Sequence, residues 1–219
     1  MSRPLILVAA SGLGRETMEA ARVAGGYEVI GFVDDNHTLW GELVDGVKVI
    51  GGLDAVHDHP DAAVLLCAGK GAAREALAAR LGLDDSRYAT VVHPSVSLPE
   101  SCTIGDGSIV LAGCVLTASV GVGRHVVLMP HVTLTHDDVV GDFATLCAGV
   151  TLGGSVHVGV RAYLGMSASV RERVTVGAGA TVGMGAAVVG DIPVGEVWYG
   201  IPARAAASND KRNVGRYES

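Results

Sequence analysis

A six-residue period runs through the second half of this chain and constrains its fold more than any other feature. Stepping by six from Val92 meets Val, Leu or Ile seventeen times in succession, ending at Val188. These three types make up 60 of the 219 residues, so an unbroken series of this length is not accidental. Glycine follows the aliphatic anchor at Gly105, Gly123, Gly141, Gly159 and Gly177, a period of eighteen. Eighteen is three sixes: each coil holds three short strands, and one corner of every coil wants glycine. A chain that turns one aliphatic side chain inward per six residues and closes after three flat faces is a parallel β-helix of triangular section. With coils stacked about 4.8 Å apart, five to six of them make a prism about 27 Å tall. The fourth residue after an anchor is usually small, as at Ser108, Ala144, Ala162, Ala168, Ala180 and Ala186. Asp138 breaks that rule, and such local exceptions cluster where a fold does chemistry.

The first part of the chain has a different rhythm. Apolar runs at 5–10, 27–33 and 62–68 alternate with helical spacing over 14–24 and 71–81, separated by a turn-rich stretch after Asp34-Asp35. That alternation predicts a small Rossmann-like α/β unit with a parallel sheet and ligands at the carboxyl ends of its strands. The expected division is a sugar-nucleotide-binding unit over 1–90, the β-helix over 91–207 and a polar, mobile tail over 208–219.

Composition agrees with this architecture. Nine aromatic residues against 49% hydrophobic residues imply a core of Val, Leu, Ile and Ala, while 31 glycines supply repeated turns. That apolar content excludes disorder. The net charge of -7 opposes binding to nucleic acid. No run of eighteen apolar residues occurs, and the N-terminal apolar run is too short for a signal peptide, so a soluble cytoplasmic protein is expected. Cys67, Cys102, Cys114 and Cys147 lack C-x-x-C spacing and read as reduced, partly buried thiols. Neutral or apolar exterior strands such as VLAGCV and LCAGVT would bury best against copies of the chain, which predicts cyclic association.

Several motifs occur in a telling order: the turn Ala10-Ser11-Gly12-Leu13-Gly14, the pair Asp34-Asp35, His93-Pro94-Ser95 opening the repeats, Leu-Thr-His-Asp before Val-Gly-Asp-Phe, and Gly200-Ile201-Pro202-Ala203-Arg204. This set resembles the sialic acid O-acetyltransferases and nucleotide-amino-sugar N-acetyltransferases, left-handed β-helix hexapeptide acyltransferases that form trimers with active sites between adjacent prisms. The resemblance covers the chain to about Arg204. It implies left-handed coils, acetyl-CoA as co-substrate, a nucleotide-linked amino sugar as acceptor, a homotrimer and no metal. It places the catalytic base on His136 with Asp137 beside it, a backbone N–H donor for the oxyanion at Gly154, and coenzyme contacts at Thr145 and Arg204. Thr145 and Leu13 stand where family members carry histidine. Leu13 has no polar group to offer a sugar nucleotide, so Arg15 or Arg74 is a candidate to supply one.

The residues themselves suit that chemistry. An amine attacking a thioester must lose a proton, imidazole accepts protons near neutral pH, and a neighbouring carboxylate fixes its tautomer. Either Asp137 or Asp138 could be that carboxylate. The turn at Ser11, Gly12 and Leu13 opens a helix whose N–H groups suit a phosphate, and Asp34 or Asp35 suits ribose or base donors. Gly69-Lys70-Gly71 repeats the logic, with Lys70 a further substrate contact. Three other functions compete: O-acetylation of a sialic acid, a zinc hydratase of the γ-carbonic-anhydrase type using His131 and His136 with His125 or His157, and a noncatalytic scaffold.

Overall fold

The computed structural model describes residues 2–206, so the tail expected to be mobile over 208–219 lies outside the described residues. The chain opens with β1 (Arg3–Val8), α1 (Gly12–Ala24), β2 (Tyr27–Val33), β3 (Leu43–Val44), β4 (Val47–Gly51), β5 (Ala63–Leu66) and α2 (Gly71–Leu81). The sheet runs β3-β4-β2-β1-β5, parallel except for the β3–β4 hairpin. The hairpin lies in the stretch read from the sequence as turn-rich. Its signal is Asp45-Gly46, both at positive φ (46° and 83°), the two-residue turn that matches strand twist.

From Val91 onward the chain winds into three sheets, parallel except for the last strand, Arg204–Ala205. The first face stacks strands carrying Ile104, Val122, Val140, Val158 and Val176. The second runs from Val91–Val92 through Val110, Leu128, Leu146, Leu164 and Val182, then gains the Val197–Tyr199 and Arg204–Ala205 strands. The third stacks Leu116, Leu134, Leu152, Val170 and Val188. The anchors from Val110 to Val188 form one continuous buried core with the small corner residues.

The glycines serve two separate needs. The third residue after an anchor takes positive φ, whether glycine (Gly107, Gly113, Gly149) or not (His131, Asp137, Arg173 at 61–62°). The eighteen-spaced glycines are not among these positive-φ residues; they permit close stacking. A Cβ on Gly141 would lie 2.7 Å from the Val160 nitrogen and 3.0 Å from the Gly159 carbonyl carbon in the next coil. Gly141→Ala should therefore force two coils apart and destabilise the protein by about 1–3 kcal/mol, read as a lowered urea midpoint.

The second face is covered by the chain's own N-terminal unit. Outward residues Val91, Ile109 and Val127 share a buried cluster with Leu5, Leu7, Met18 and Ala63. Leu111 of the VLAGCV segment also lies in this cluster, so that outward side chain is covered within the chain, whereas Val115 of the same segment stays exposed. The joint is polar as well. Arg74, fully buried on α2, donates to the carbonyls of Ala68, Gly69, His125, Phe143 and Ala144 and to the Thr145 hydroxyl. Arg124 pairs with Asp85, and Arg161 with Glu75 at 2.8 Å.

His125 is buried in this joint, stacked on Phe143 and edge-on to Tyr88, with Nδ1 unpartnered. Burial, reinforced by the charges of Arg124 and Arg74, pushes its imidazole down to about 4 from 6.5. The folded protein keeps this ring neutral while the unfolded chain takes up a proton below pH 6.5, so its contribution to stability is lost as pH falls from 6.5 through 4. His125→Phe should remove that loss. Urea midpoints at pH 7.5 and 5.0 for variant and wild type test it, because other titrating groups cancel in the difference.

Candidate active site

The edge joining the third face to the first carries Thr135, His136, Asp137 and Asp138 between the Leu134 and Val140 anchors. Asp137 takes the corner's left-handed conformation, φ 62°, and its N–H donates to the Ala118 carbonyl one coil away at 3.0 Å. That leaves its exposed carboxylate 2.8 Å from His136 Nδ1. Asp138 points inward instead. Its carboxylate accepts the N–H of Thr135 at 2.7 Å and of Val156 at 2.8 Å, tying this corner to the next coil. Burial pushes the Asp138 carboxyl up to about 6 despite those two hydrogen bonds. The corner exception therefore has a stacking role like that of Ser108, whose hydroxyl accepts the Val126 N–H at 3.0 Å.

Gly154 lies eighteen residues beyond His136, one coil further along the same edge. A Cβ there would collide with His136 Nε2 and Cε1 and would lie 3.0 Å from Cδ2. The imidazole thus directs Nδ1 to a carboxylate and lays its other nitrogen against the Gly154 backbone, with the Ser155 N–H holding the His136 carbonyl at 2.8 Å.

The other predicted residues separate from this edge. Thr145 is buried on the second face, donating its hydroxyl to the Gly69 carbonyl at 2.8 Å and accepting from Arg74, so its polar group belongs to the interdomain joint and not to a coenzyme. Arg74 is likewise a joint residue rather than a sugar contact, and Arg15 pairs with Asp45 at 2.6 Å. Arg204 opens the last strand of the second face, pairs in register with Tyr199 and donates to its own Ala203 carbonyl.

In the N-terminal unit a cleft of about 170 Å³ lies at the carboxyl ends of β1 and β2, lined by Ala9, Asp34, Asp35, Leu53 and Leu77 among others. Ala9, at φ 81°, turns the chain so that the Ala10 N–H reaches Asp34 at 2.9 Å. The second Asp34 oxygen takes the Asn36 N–H, so this carboxylate stitches two turns together. Asp35 is paired with Arg80 at 2.6 Å, which holds its carboxyl below the ordinary value. Ser11 caps α1 by accepting the Gly14 N–H at 3.0 Å and donates to the Cys67 carbonyl. Its hydroxyl is therefore committed, while Gly12 beside it is exposed and Leu13 packs against the joint core. Lys70 is exposed at the start of α2, but Gly71 is pressed onto the prism: a Cβ there would strike the Phe143 carbonyl oxygen and lie 3.1 Å from the Arg161 Cα. At Gly71 this turn docks on the prism, while Lys70 stays exposed.

Among the described residues, no group of three or more His, Cys, Asp or Glu side chains within one chain could hold a metal ion.

A prism of hexapeptide coils with a carboxylate-held histidine on one edge defines a hexapeptide-repeat acyltransferase. Residues 4–81 match the family model described as the PglD N-terminal domain. The acetyltransferase domain of PglB from Neisseria gonorrhoeae FA1090 is 30% identical, with 94% of this chain and 100% of that chain covered and a TM-score of 0.86. PerB from Caulobacter crescentus, solved with CoA and GDP-perosamine, is 26% identical over 93% of this chain and 97% of that one, with a TM-score of 0.84. UDP-N-acetylbacillosamine N-acetyltransferase of Bacillus subtilis (strain 168) is 38% identical over 53 residues, which span 24% of each chain, so the match reaches about a quarter of that curated relative's length. The chain belongs to the family of nucleotide-amino-sugar N-acetyltransferases built on the left-handed β-helix.

Proposed function

We propose that this protein transfers the acetyl group of acetyl-CoA directly to the amine of a nucleotide-linked amino sugar, with His136 as general base. The observation that carries the reading is the placement of His136: Nδ1 on Asp137 at 2.8 Å and the ring against Gly154. A proton on Nδ1 shared with Asp137 leaves Nε2 with its lone pair, on the side where the Gly154 backbone offers an N–H to an oxyanion. The amine nitrogen forms its bond to the thioester carbon as Nε2 takes the amine proton. The C–S bond then breaks, and the imidazolium returns that proton to the departing thiolate. Asp137 stabilises the imidazolium between these two steps.

The relatives support the substrate class, since one is named for a UDP-linked sugar and another was solved with GDP-perosamine and CoA. The cleft at the ends of β1 and β2 is the place for the nucleotide, with the exposed Gly12 turn beside it. The N-terminal unit covers the second face, leaving the first and third faces and the His136 edge between them open. A ring of three copies would enclose that edge between adjacent prisms, and the reading includes such a homotrimer. No described helix is long and apolar enough to cross a membrane, and an acetyl-CoA-dependent reaction on a nucleotide sugar suits the cytoplasm.

The test is an acetylation screen with UDP-, GDP- and dTDP-linked amino sugars beside free sialic acid, with product mass and released thiol measured together. N-acetylation of at least one nucleotide sugar is expected. Turnover of sialic acid alone would convert the activity to O-acetylation, and thiol release without any acetylated sugar would defeat the reading.

A further inference from the structure

Between Gly105 and Arg171 the backbone ladder of the β-helix opens at one position, and that position is the His136 corner. The residue after each anchor donates its N–H to the anchor carbonyl one coil further on: Gly105 to Val122, Thr117 to Leu134, Gly123 to Val140 and Gly153 to Val170, at 2.8–3.1 Å. Every residue so placed from Gly105 to Arg171 makes this bond except Thr135. Thr135 turns its N–H onto the Asp138 carboxylate at 2.7 Å instead, and its hydroxyl donates to the Leu152 carbonyl at 3.1 Å in place of the amide. Strand pairing shortens accordingly. Thr133 is in register with Thr151 alone, whereas the pairs on either side along this face extend to the anchors, Leu116 with Leu134 and Leu152 with Val170.

Asp138 is what opens the ladder. Its side chain is fully buried, and one oxygen holds the Val156 N–H at 2.8 Å. Ser108 makes the same tie to Val126 at 3.0 Å from the corresponding corner position, and there the ladder stays closed, with the Gly105 N–H on the Val122 carbonyl at 2.9 Å. A hydroxyl therefore suffices to hold one coil on the next. The second carboxylate oxygen is the part that stacking does not require, and it is the oxygen that draws Thr135 out of the ladder. Side-chain acceptors compete with a backbone ladder for its donors in this way, and a local break in pairing re-aims the side chains beside it. The residue inside this four-residue turn is His136, whose ring lies against Gly154 with Nδ1 2.8 Å from Asp137.

We propose that Asp138 and Thr135 are positioning residues for acetyl transfer, which open the ladder at this corner and so aim the His136 imidazole at Gly154. The inference rests on the reading of His136 as the general base. Asp138 is buried beneath the corner and acts through the backbone rather than on a substrate. The same carboxylate holds Val156, two residues beyond Gly154, so it fixes the base and the proposed oxyanion donor relative to each other. Such alignment matters because a misplacement of about 1 Å costs roughly 100-fold in rate.

The experiment compares wild type, Asp138→Ser, His136→Ala and the two substitutions combined. Asp138→Ser keeps the tie to Val156 on the pattern of Ser108 and releases Thr135, whose N–H should close on the Leu152 carbonyl. The urea midpoint should therefore match or exceed that of wild type. At the same time kcat should fall about 10- to 100-fold, while KM for acetyl-CoA and for the sugar nucleotide stays within about twofold. In the His136→Ala background the same substitution should cost nothing further, because a residue that acts through the imidazole then has nothing to act on. A crystal structure of Asp138→Ser should show the Thr135–Leu152 bond made and the ring moved off Gly154. Near-normal kcat in Asp138→Ser overturns the proposal, as does an equal loss with and without His136, or a ring that has not moved. Wild-type protein that transfers no acetyl group, or His136→Ala at a near-normal rate, would instead defeat the reading of the base on which the proposal rests.

Discussion

His136→Ala should lower kcat for acetyl transfer by about 10²- to 10⁴-fold, the range for loss of a positioned general base. The substitution removes the ring that lies against Gly154 and leaves the Asp137 carboxylate on the surface, where water solvates it. Folding should be unaffected, because His136 is exposed and its structural bond, the Ser155 N–H to its carbonyl, belongs to the backbone. CoA should bind the variant as tightly as the wild type, since the role proposed for the ring is to take the proton of the amine. The loss should appear equally in kcat and kcat/KM, the pattern for an interaction made in the transition state. Asp137→Asn should cost less, because it keeps the ring but weakens support for the imidazolium. Rate measurements at saturating acetyl-CoA, with titration of CoA alongside, check all of this. A near-normal rate in His136→Ala would remove the residue from the chemistry.

Much of this arrangement is legible in the sequence, because a β-helix writes its geometry as a period. The aliphatic anchors name the interior, and the eighteen-residue period between His136 and Gly154 agrees with the pairing that the family resemblance implies. Legibility fails where a residue's meaning depends on what another part of the chain brings to it. Asp138 looks like chemistry because it is a charge at a corner usually left small, yet it bonds two backbone N–H groups. Thr145 stands at a family histidine position, but the N-terminal unit covers it. Ser11 and Asp34 look like ligand contacts, and both spend their oxygens on backbone groups of their own and neighbouring strand ends. The β3–β4 hairpin did have a local signal in Asp45-Gly46, obscured by the glycines around it. The eighteen-spaced glycine marks where neighbouring backbones touch, whereas the left-handed corner lies two residues further on and accepts His, Phe or Arg.

Arg74 shows this dependence most strongly and supports the second large prediction. Within its own segment it is one more arginine on a helix of low amphipathic character, and nothing local marks it as buried. In the fold it is fully buried and serves six acceptors, of which His125, Phe143, Ala144 and Thr145 belong to the prism. Burial pushes its guanidinium down to about 10, still charged at neutral pH. Arg74→Met keeps much of the volume but leaves those carbonyls buried without donors, at a cost of about 3–5 kcal/mol in stability. For a chain of this size that corresponds to a fall in Tm of roughly 10–15 °C. Arg74→Lys should recover little of it, because one ammonium cannot reach acceptors arranged around a planar fork. The substitution should also raise KM for the sugar nucleotide more than for acetyl-CoA: Arg74 fastens the unit bearing the β1–β2 cleft to the prism, whereas the His136 edge lies between the other two faces. Thermal melts of the two variants against wild type decide the stability claim, and an Arg74→Met variant within about 0.5 kcal/mol of wild type would show that the joint does not depend on this side chain.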